Sequence, residues 1–151
     1  MTENKFYKPV GGLVRAELFH TSQIESIDQL KWGAGVEVAL VDDASSYVER
    51  FSADNRQVSV LHTLTLCSDR NLAQQWFDGE FLRQVAADGV VALVELATGE
   101  QLTVGWCRRM AFEQALRLNS LEFDSGQGLN DSPRVKMVLC CRDVTSAFNI
   151  E

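Results

Sequence analysis

The chain has 151 residues, 46% of them hydrophobic and 23% charged, and a formal net charge of −7. This length and composition are typical of a single globular domain over residues 1–151. A domain of this size can bury a hydrophobic core that is stable without disulfide bonds or bound metal. Only Arg108 and Arg109 are adjacent basic residues. The chain therefore lacks the basic footprint of a nucleic-acid binder or of a protein that docks on an anionic membrane.

The N-terminal residues resemble neither a secretory signal nor a membrane anchor. Residues 1–9 are polar, contain Pro9 and lack the apolar run that follows the basic start of a signal peptide. No stretch approaches the roughly 18 apolar residues that a membrane helix needs. The sequence predicts a cytoplasmic protein with a flexible N-terminal arm over residues 1–9.

Four cysteines are spread along the chain, at Cys67, Cys107, Cys140 and Cys141. They form no Cys-x-x-Cys pair and do not have zinc-site spacing. We expect reduced thiols that behave as small apolar side chains. Because Cys140 and Cys141 are neighbours in a predicted strand, their side chains should point to opposite faces.

Three strands are predicted in the first half, over residues 13–20, 36–41 and 58–67. The last alternates most clearly, as a half-buried strand does. The faces expected to be apolar carry Val14, Ala16 and Leu18 in the first strand, Val36, Val38 and Leu40 in the second, and Val58, Val60, His62, Leu64 and Leu66 in the third.

Residues 42–56 form the most polar stretch of the chain, interrupted by Tyr47, Val48 and Phe51. We interpret it as a long exposed connection, or as a lobe that leaves the main sheet. Loops of this length are uncommon in compact domains and often carry function.

One helical region follows, between residues 68 and 89. Ser68 or Asp69 can cap its start, and Gly89 suits a left-handed residue at its end. Helical spacing puts an apolar stripe on one face, formed by Trp76, Phe77, Phe81, Leu82 and Val85. We expect this stripe to cover a sheet.

The second half reads as four strands. Residues 90–96 and 101–108 form a hairpin, with Gly99 at a turn position that favours positive φ. A further strand is predicted near residues 116–123. Its apolar residues change from one face to the other at Asn119-Ser120, which predicts a β-bulge there. In the last strand, one apolar face carries Val135, Met137, Leu139 and Cys141.

These elements predict a mainly β protein with one helical segment. About seven strands without regular βαβ alternation indicate an antiparallel β-sandwich or a small barrel, with the helix packed against it.

No catalytic motif is present, so we expect neither enzymatic activity nor a cofactor. The chain lacks Gly-x-Ser-x-Gly and a phosphate-binding loop, and Gly33-Ala34-Gly35 opens a strand instead of a helix. His62 lies on an apolar strand face, where a core histidine is the favoured interpretation over a general base or metal ligand. Arg108 and Arg109 could together bind an anion. Because neighbouring residues on a strand point to opposite faces, a solvated strand edge or a subunit contact is the favoured interpretation.

Part of the second half resembles small proteins of bacterial prophages and phage tail-like particles. The resemblance lies in Gly105-Trp106, in the pattern from Leu116 to Gly126, in Asp131-Ser132-Pro133 and in the strand that ends Cys141-Arg142-Asp143. Tail-tube and related virion proteins are similar in build: a β-sandwich or barrel with one flanking helix, long loops and no cofactor. The resemblance implies that function lies in subunit–subunit contacts.

The leading hypothesis is therefore a non-enzymatic structural or assembly protein, related to phage or prophage tails, that works as an oligomer or within a phage-like particle. If the last strand lies at the edge of its sheet, its apolar side chains are available for contact with a neighbouring subunit. A central position in the sheet would explain the same apolar side chains equally well. The candidate contact residues are Tyr47, Val48, Phe51, Met137, Leu139, Phe148 and Ile150.

Two other functions stay open at this point. Trp32, Trp76 and Trp106 could line an apolar pocket in a β-barrel that binds a small molecule. An unrecognised hydrolase or metal enzyme would need His62 or paired carboxylates to converge in a cleft.

Overall fold

A computed structural model describes residues 12–24, 27–40, 45–69, 79–106, 115–125 and 133–143. Two short 3-10 turns, Thr21–Gln23 and Ile27–Gln29, lie in the stretch that the sequence left unassigned. The regular elements in chain order are β1 (Leu13–His20), β2 (Val36–Val38), β3 (Ser46–Asp54), β4 (Gln57–Asp69), α1 (Gly79–Ala87), β5 (Val90–Leu96), β6 (Gln101–Val104), β7 (Arg117–Asp124) and β8 (Arg134–Asp143).

The strands form two four-stranded antiparallel sheets. Sheet 1 has the order β2-β1-β5-β6, and sheet 2 has the order β3-β4-β8-β7. The predicted mainly β architecture with one packed helix is confirmed in the described residues. The sheets do not close on themselves there, so the small-barrel alternative was wrong.

The main hydrophobic core lies between the two sheets. It is formed by side chains on the face of each sheet that points toward the other sheet, called here the inner face. The inner face of sheet 1 contributes Ala16, Leu18, Val94 and Val104, and that of sheet 2 contributes Leu64, Leu66, Met137 and Leu139. Phe81 and Val85 of α1 pack into the same cluster. Period-2 burial along β4 and β8 thus produces the sandwich, as the alternation in the sequence predicted.

A smaller apolar cluster covers the outer face of sheet 1. There Phe19 and Leu93 pack with Ile24, and Leu30 and Trp32 pack against them. The buried Glu17 carboxylate fixes this covering segment, because it accepts N–H donors from Gly33 at 2.8 and 2.9 Å and from Gly35 at 2.7 Å. A buried charge is stabilised when hydrogen bonds replace its water.

A backbone bridge joins the two sheets. Val90 of β5 and Leu116, which precedes β7, exchange both N–H···O bonds, at 2.8 and 2.9 Å. Gly89 and Gly105 flank this pair with φ of +88° and +99°. A Cβ on Gly89 would lie 2.8 Å from the Ala115 Cβ, so only glycine lets the chains approach this closely.

The main correction concerns residues 42–56. Residues 46–54 are strand β3, which pairs with β4 from Ser46↔Thr65 to Asp54↔Gln57. A two-residue turn closes the hairpin, with Asn55 and Arg56 at φ of 50° and 69°. Such a turn matches the twist of the strands, but Asn-Arg is not the Asn-Gly signal that sequence analysis looks for.

Smaller differences have local causes. A register shift between Leu13 and Arg15 leaves Val14 57% exposed, so its predicted inward position was wrong. Ser68 and Asp69 are the last residues of β4, and the helix start that they were predicted to cap lies outside the described residues. The bulge at Asn119-Ser120 is confirmed as a register shift between Leu118 and Ser120.

Several predictions fall outside the described residues and stay predictions. They concern the arm over residues 1–9, Trp76 and Phe77, Cys107, Arg108, Arg109, Phe148 and Ile150.

We expect Gly89→Ala to destabilise the fold more than Gly99→Ala. Both glycines have positive φ, which costs about 1–2 kcal/mol for another residue. Only Gly89 also faces a close neighbour, which adds about 1–3 kcal/mol of overpacking, whereas nothing lies within 4 Å of the Gly99 position. Urea denaturation measures both; equal losses would contradict the role of the bridge.

Candidate functional site

The β3–β4 hairpin extends beyond the described part of β8 at one end of sheet 2. Strand β8 pairs with β4 only from Val60 onward, so residues 51–59 form a projecting tip in the described structure. Phe51 and Val58 face the same side as the core residues of β4, yet they are 58% and 54% exposed. An apolar inner face that continues past its core is suited to contact with another molecule.

Of the predicted contact residues, Val48 and Phe51 are exposed. Val48 is 48% exposed on the outer face of sheet 2, because β3 residues alternate and Tyr47 faces inward. Tyr47 is half-buried and packs against the main core.

Met137 and Leu139 are a correction. Both are fully buried, and β8 lies between β4 and β7 and is not an edge strand. Their apolar character is explained by the core of the chain itself, which leaves them no surface for a subunit contact.

A buried polar network occupies the inner face beside the core, formed by Tyr47, Glu49 and His62. The Tyr47 hydroxyl donates to Glu49 Oε2 at 2.5 Å and lies 2.5 Å from His62 Nδ1. Glu49 Oε2 is 3.7 Å from that nitrogen, and the two side chains are 7% and 4% exposed. The rings of Tyr47 and His62 stack at 5.9 Å.

This network fixes the position of His62. His62 is a core histidine, as favoured from the sequence, and its described partners include the side chains of Tyr47 and Glu49. Cys141 is its cross-strand neighbour on β8 and is also buried. The sequence could not reveal Tyr47 and Glu49 as partners, since it placed both in a loop.

A second buried histidine was not singled out by sequence analysis. His20 ends β1, is 7% exposed and contacts the Phe81 ring edge-on at 4.8 Å. Its Nδ1 is buried without a hydrogen-bond partner. Burial lowers the pKa of His20 below 6.5, although the Asp88 carboxylate acts in the opposite direction. A pocket of about 260 Å³ lies beside it, lined by Phe19, Ile24, Gly35 and Val36 among others.

Of the three tryptophans, Trp76 lies outside the described residues. Trp32 lies on the outer face of sheet 1, where its Nε1–H donates to Gln101 at 3.3 Å and Arg15 stacks on its ring at 4.0 Å. It lines a groove of about 270 Å³ with Leu30, Leu93 and Gln101. Because the sheets stay open, the barrel in the ligand-binding alternative was wrong, whereas small-molecule binding at the tryptophans stays a prediction.

Within the described part of the chain, no group of three or more His, Cys, Asp or Glu side chains is arranged to hold a metal ion. Cys67, Cys140 and Cys141 form no disulfide bond in the described part of the chain, and the last two lie on opposite faces of β8, as predicted. None of the helices described here has the length and apolar character needed to cross a bilayer.

Comparison with known proteins gives no relative, because no family model, curated protein or solved structure matches this chain. The function must therefore be argued from the geometry described above.

We expect the stability of the protein to fall as the pH drops below about 6.5, in part because of His20. The unfolded chain binds a proton on this histidine near its ordinary pKa, whereas the folded chain binds it only at lower pH. The unfolded state thus holds more protons in this window, and stability rises with pH across it. In His20→Gln, urea denaturation at several pH values should show a smaller loss; parallel curves for the two proteins would contradict the assignment.

We expect His62→Leu to fold but to lose about 1–3 kcal/mol of stability, because Tyr47 and Glu49 lose one buried hydrogen-bond partner. Tyr47→Phe removes the hydroxyl from the same network and should cost a similar amount. Self-association should be unchanged in both. An unaltered denaturation midpoint in His62→Leu would show that the network does not contribute.

Proposed function

We propose that this protein is a non-enzymatic assembly subunit that associates with other copies of itself. The observation that carries the proposal is the projecting hairpin tip, whose inner-face residues Phe51 and Val58 are more than half exposed. The resemblance of the second half to tail-related phage proteins supports the same conclusion, and it makes a phage-like particle the assembly that we favour.

The tip has the properties of a contact surface and not of a solvated turn. A natural monomer protects its sheet edges and ends with charge, proline or bulges. Here Ala53 lies opposite Val58, and Phe51 lies opposite Val60, so the inner face of the tip is apolar on both strands. The tip therefore continues the apolar face of the sandwich into solvent.

The backbone of the tip offers a second kind of contact. On β4, residues 57–59 pair with β3 on one side only, since the β8 ladder begins at Val60. Their other edge has no strand partner among the described residues. An added strand or loop from a neighbour could use these backbone groups, as in strand addition to an open sheet edge.

The other sites support this proposal less directly. The Tyr47–Glu49–His62 network is almost closed to solvent, which suits a structural role better than turnover of a substrate. The grooves at His20 and Trp32 lie on sheet 1, away from the tip.

We expect the wild-type protein to increase in mass with concentration in light scattering, and the double variant Phe51→Ser with Val58→Ser to stay monomeric. Removing the apolar side chains takes away the area that association buries. Val14→Ser is the matched control, because Val14 is 57% exposed on sheet 1 and should not affect association.

A wild-type protein that is monomeric at every concentration would refute the proposed function. Equal effects of the Val14 and tip variants would show that the tip is not the contact.

A further inference from the structure

We propose that the pocket beside His20 on sheet 1 binds a small neutral molecule that carries one ring and one hydroxyl group. The pocket is separate from the hairpin tip, which belongs to sheet 2, so this inference does not depend on the proposed self-association.

The pocket lies at the end of β1, past the stretch that β2 accompanies. The last described pair between these strands is Leu18↔Val36, and β1 continues from there to Phe19 and His20. A space of about 260 Å³ lies between these residues and the segment that leads into β2. Most ligand pockets have volumes of about 300–1,000 Å³, so this one suits a molecule with a single ring.

The described walls of the pocket are mostly apolar. Leu18, Phe19, Ile24 and Val36 line it, and Phe19 and Ile24 belong to the apolar cluster on the outer face of sheet 1. A ring that displaces water from such walls gains free energy in proportion to the apolar area it covers. Lys, Arg, Asp and Glu are absent from the described lining, so a charged ligand would find no counter-charge there.

His20 adds a hydrogen-bonding group to this lining. The residue is 7% exposed, and its Nδ1 is buried without a hydrogen-bond partner. An unpaired nitrogen has lost the hydrogen bond that it makes with water in the unfolded chain, and a ligand that supplies a partner restores one. The sequence alone could not show this, because the burial of Nδ1 depends on distant residues such as Phe81.

The protonation state of His20 decides which polar group fits. Burial lowers the pKa of His20, so the ring is neutral at neutral pH and has one donor and one acceptor nitrogen. A hydroxyl group donates and accepts, and therefore matches either tautomer. The Asp88 carboxylate acts on the same ring, which disfavours an anionic ligand.

The wall opposite β1 is fixed by the chain itself. The buried Glu17 carboxylate accepts N–H donors from Gly33 and from Gly35, the latter at 2.7 Å. A Cβ on Gly35 would lie 2.6 Å from the Leu18 carbonyl oxygen and 2.9 Å from the Phe19 ring, so this backbone lies directly against β1. Because the wall is already ordered, little conformational entropy is lost when a ligand binds.

NMR titration with three related probes tests the site and its ligand class. Benzyl alcohol carries the ring and the hydroxyl group, toluene lacks the hydroxyl group, and benzoate carries a charge. The chain has two histidines, so the ring nitrogens of His62, in the closed network on sheet 2, are the internal control.

We expect benzyl alcohol to shift the His20 ring signals saturably and to leave those of His62 unchanged. Its Kd should be on the order of 1 mM, as for a ligand of about eight non-hydrogen atoms. Toluene should bind about tenfold more weakly because it makes no hydrogen bond, and benzoate should bind more weakly than benzyl alcohol.

The absence of a saturable shift at His20 would overturn the proposal. Equal affinity for toluene would show that the hydroxyl group is not recognised, and equal affinity for benzoate would show that the site does not select neutral molecules. Either result would overturn the proposed ligand class.

Substitutions place the binding in the pocket. Ala34 lines the pocket and is exposed, so Ala34→Phe fills the space from the outside; we expect wild-type circular dichroism and no binding. His20→Phe keeps a ring against Phe81 but removes the nitrogens, and should weaken binding of benzyl alcohol about tenfold.

Thr103→Val is the matched control, because Thr103 lines the groove at Trp32 and not the pocket at His20. It should leave the affinity for benzyl alcohol unchanged. If His20→Phe does not fold, Ala34→Phe still tests the site. Loss of binding in Thr103→Val together with unchanged binding in Ala34→Phe would place the alcohol in the groove and overturn the assignment to His20.

Discussion

The bridge between Val90 and Leu116 is the contact on which the arrangement of the two sheets depends. It is the point at which β5 of sheet 1 is hydrogen-bonded to the chain that enters β7 of sheet 2. Two glycines with positive φ keep that approach free of side chains. Beside the bridge, the inner faces of the sheets lie against each other, and the alternating residues of β4 and β8 fill the space between them.

The strands of sheet 2 differ in length, so the two ends of this sheet are not alike. Strand β4 has thirteen residues, but among the described residues the β8 ladder covers it only from Val60 to Asp69, so the hairpin extends past this ladder at one end. At the other end, β7 finishes with Phe123 half exposed. The proposed function follows from this difference in strand length, because the apolar inner-face positions Phe51 and Val58 continue past the shared core at the hairpin end.

Sequence analysis correctly predicted the strands in which the buried residues follow the period-2 pattern of apolar residues. Alternation in β4 and β8 identified their inner faces, and the change of face at Asn119-Ser120 identified the bulge in β7. Sequence analysis missed β3 because its inner face carries Glu49, which breaks the apolar period, and because its turn is Asn55-Arg56. The edge position expected for β8 failed because strand order is set by long-range pairing, which local pattern does not encode.

The candidate surface was only partly predictable for the same reason. Val48 and Phe51 stood out as apolar residues in a polar stretch, but the exposure of Val58 and Phe123 depends on where the neighbouring strands end. The partners of His62 and the buried nitrogen of His20 likewise come from residues that are distant in sequence. Such contacts become visible only when the register of the sheets is known.

Amide hydrogen exchange across a series of protein concentrations tests the central claim most directly, because it reports which segments become protected when copies meet. The account predicts that exchange slows with concentration at residues 51–59 of the hairpin tip. Exchange rates that are the same at every concentration, or protection confined to the outer face of sheet 1, would contradict it.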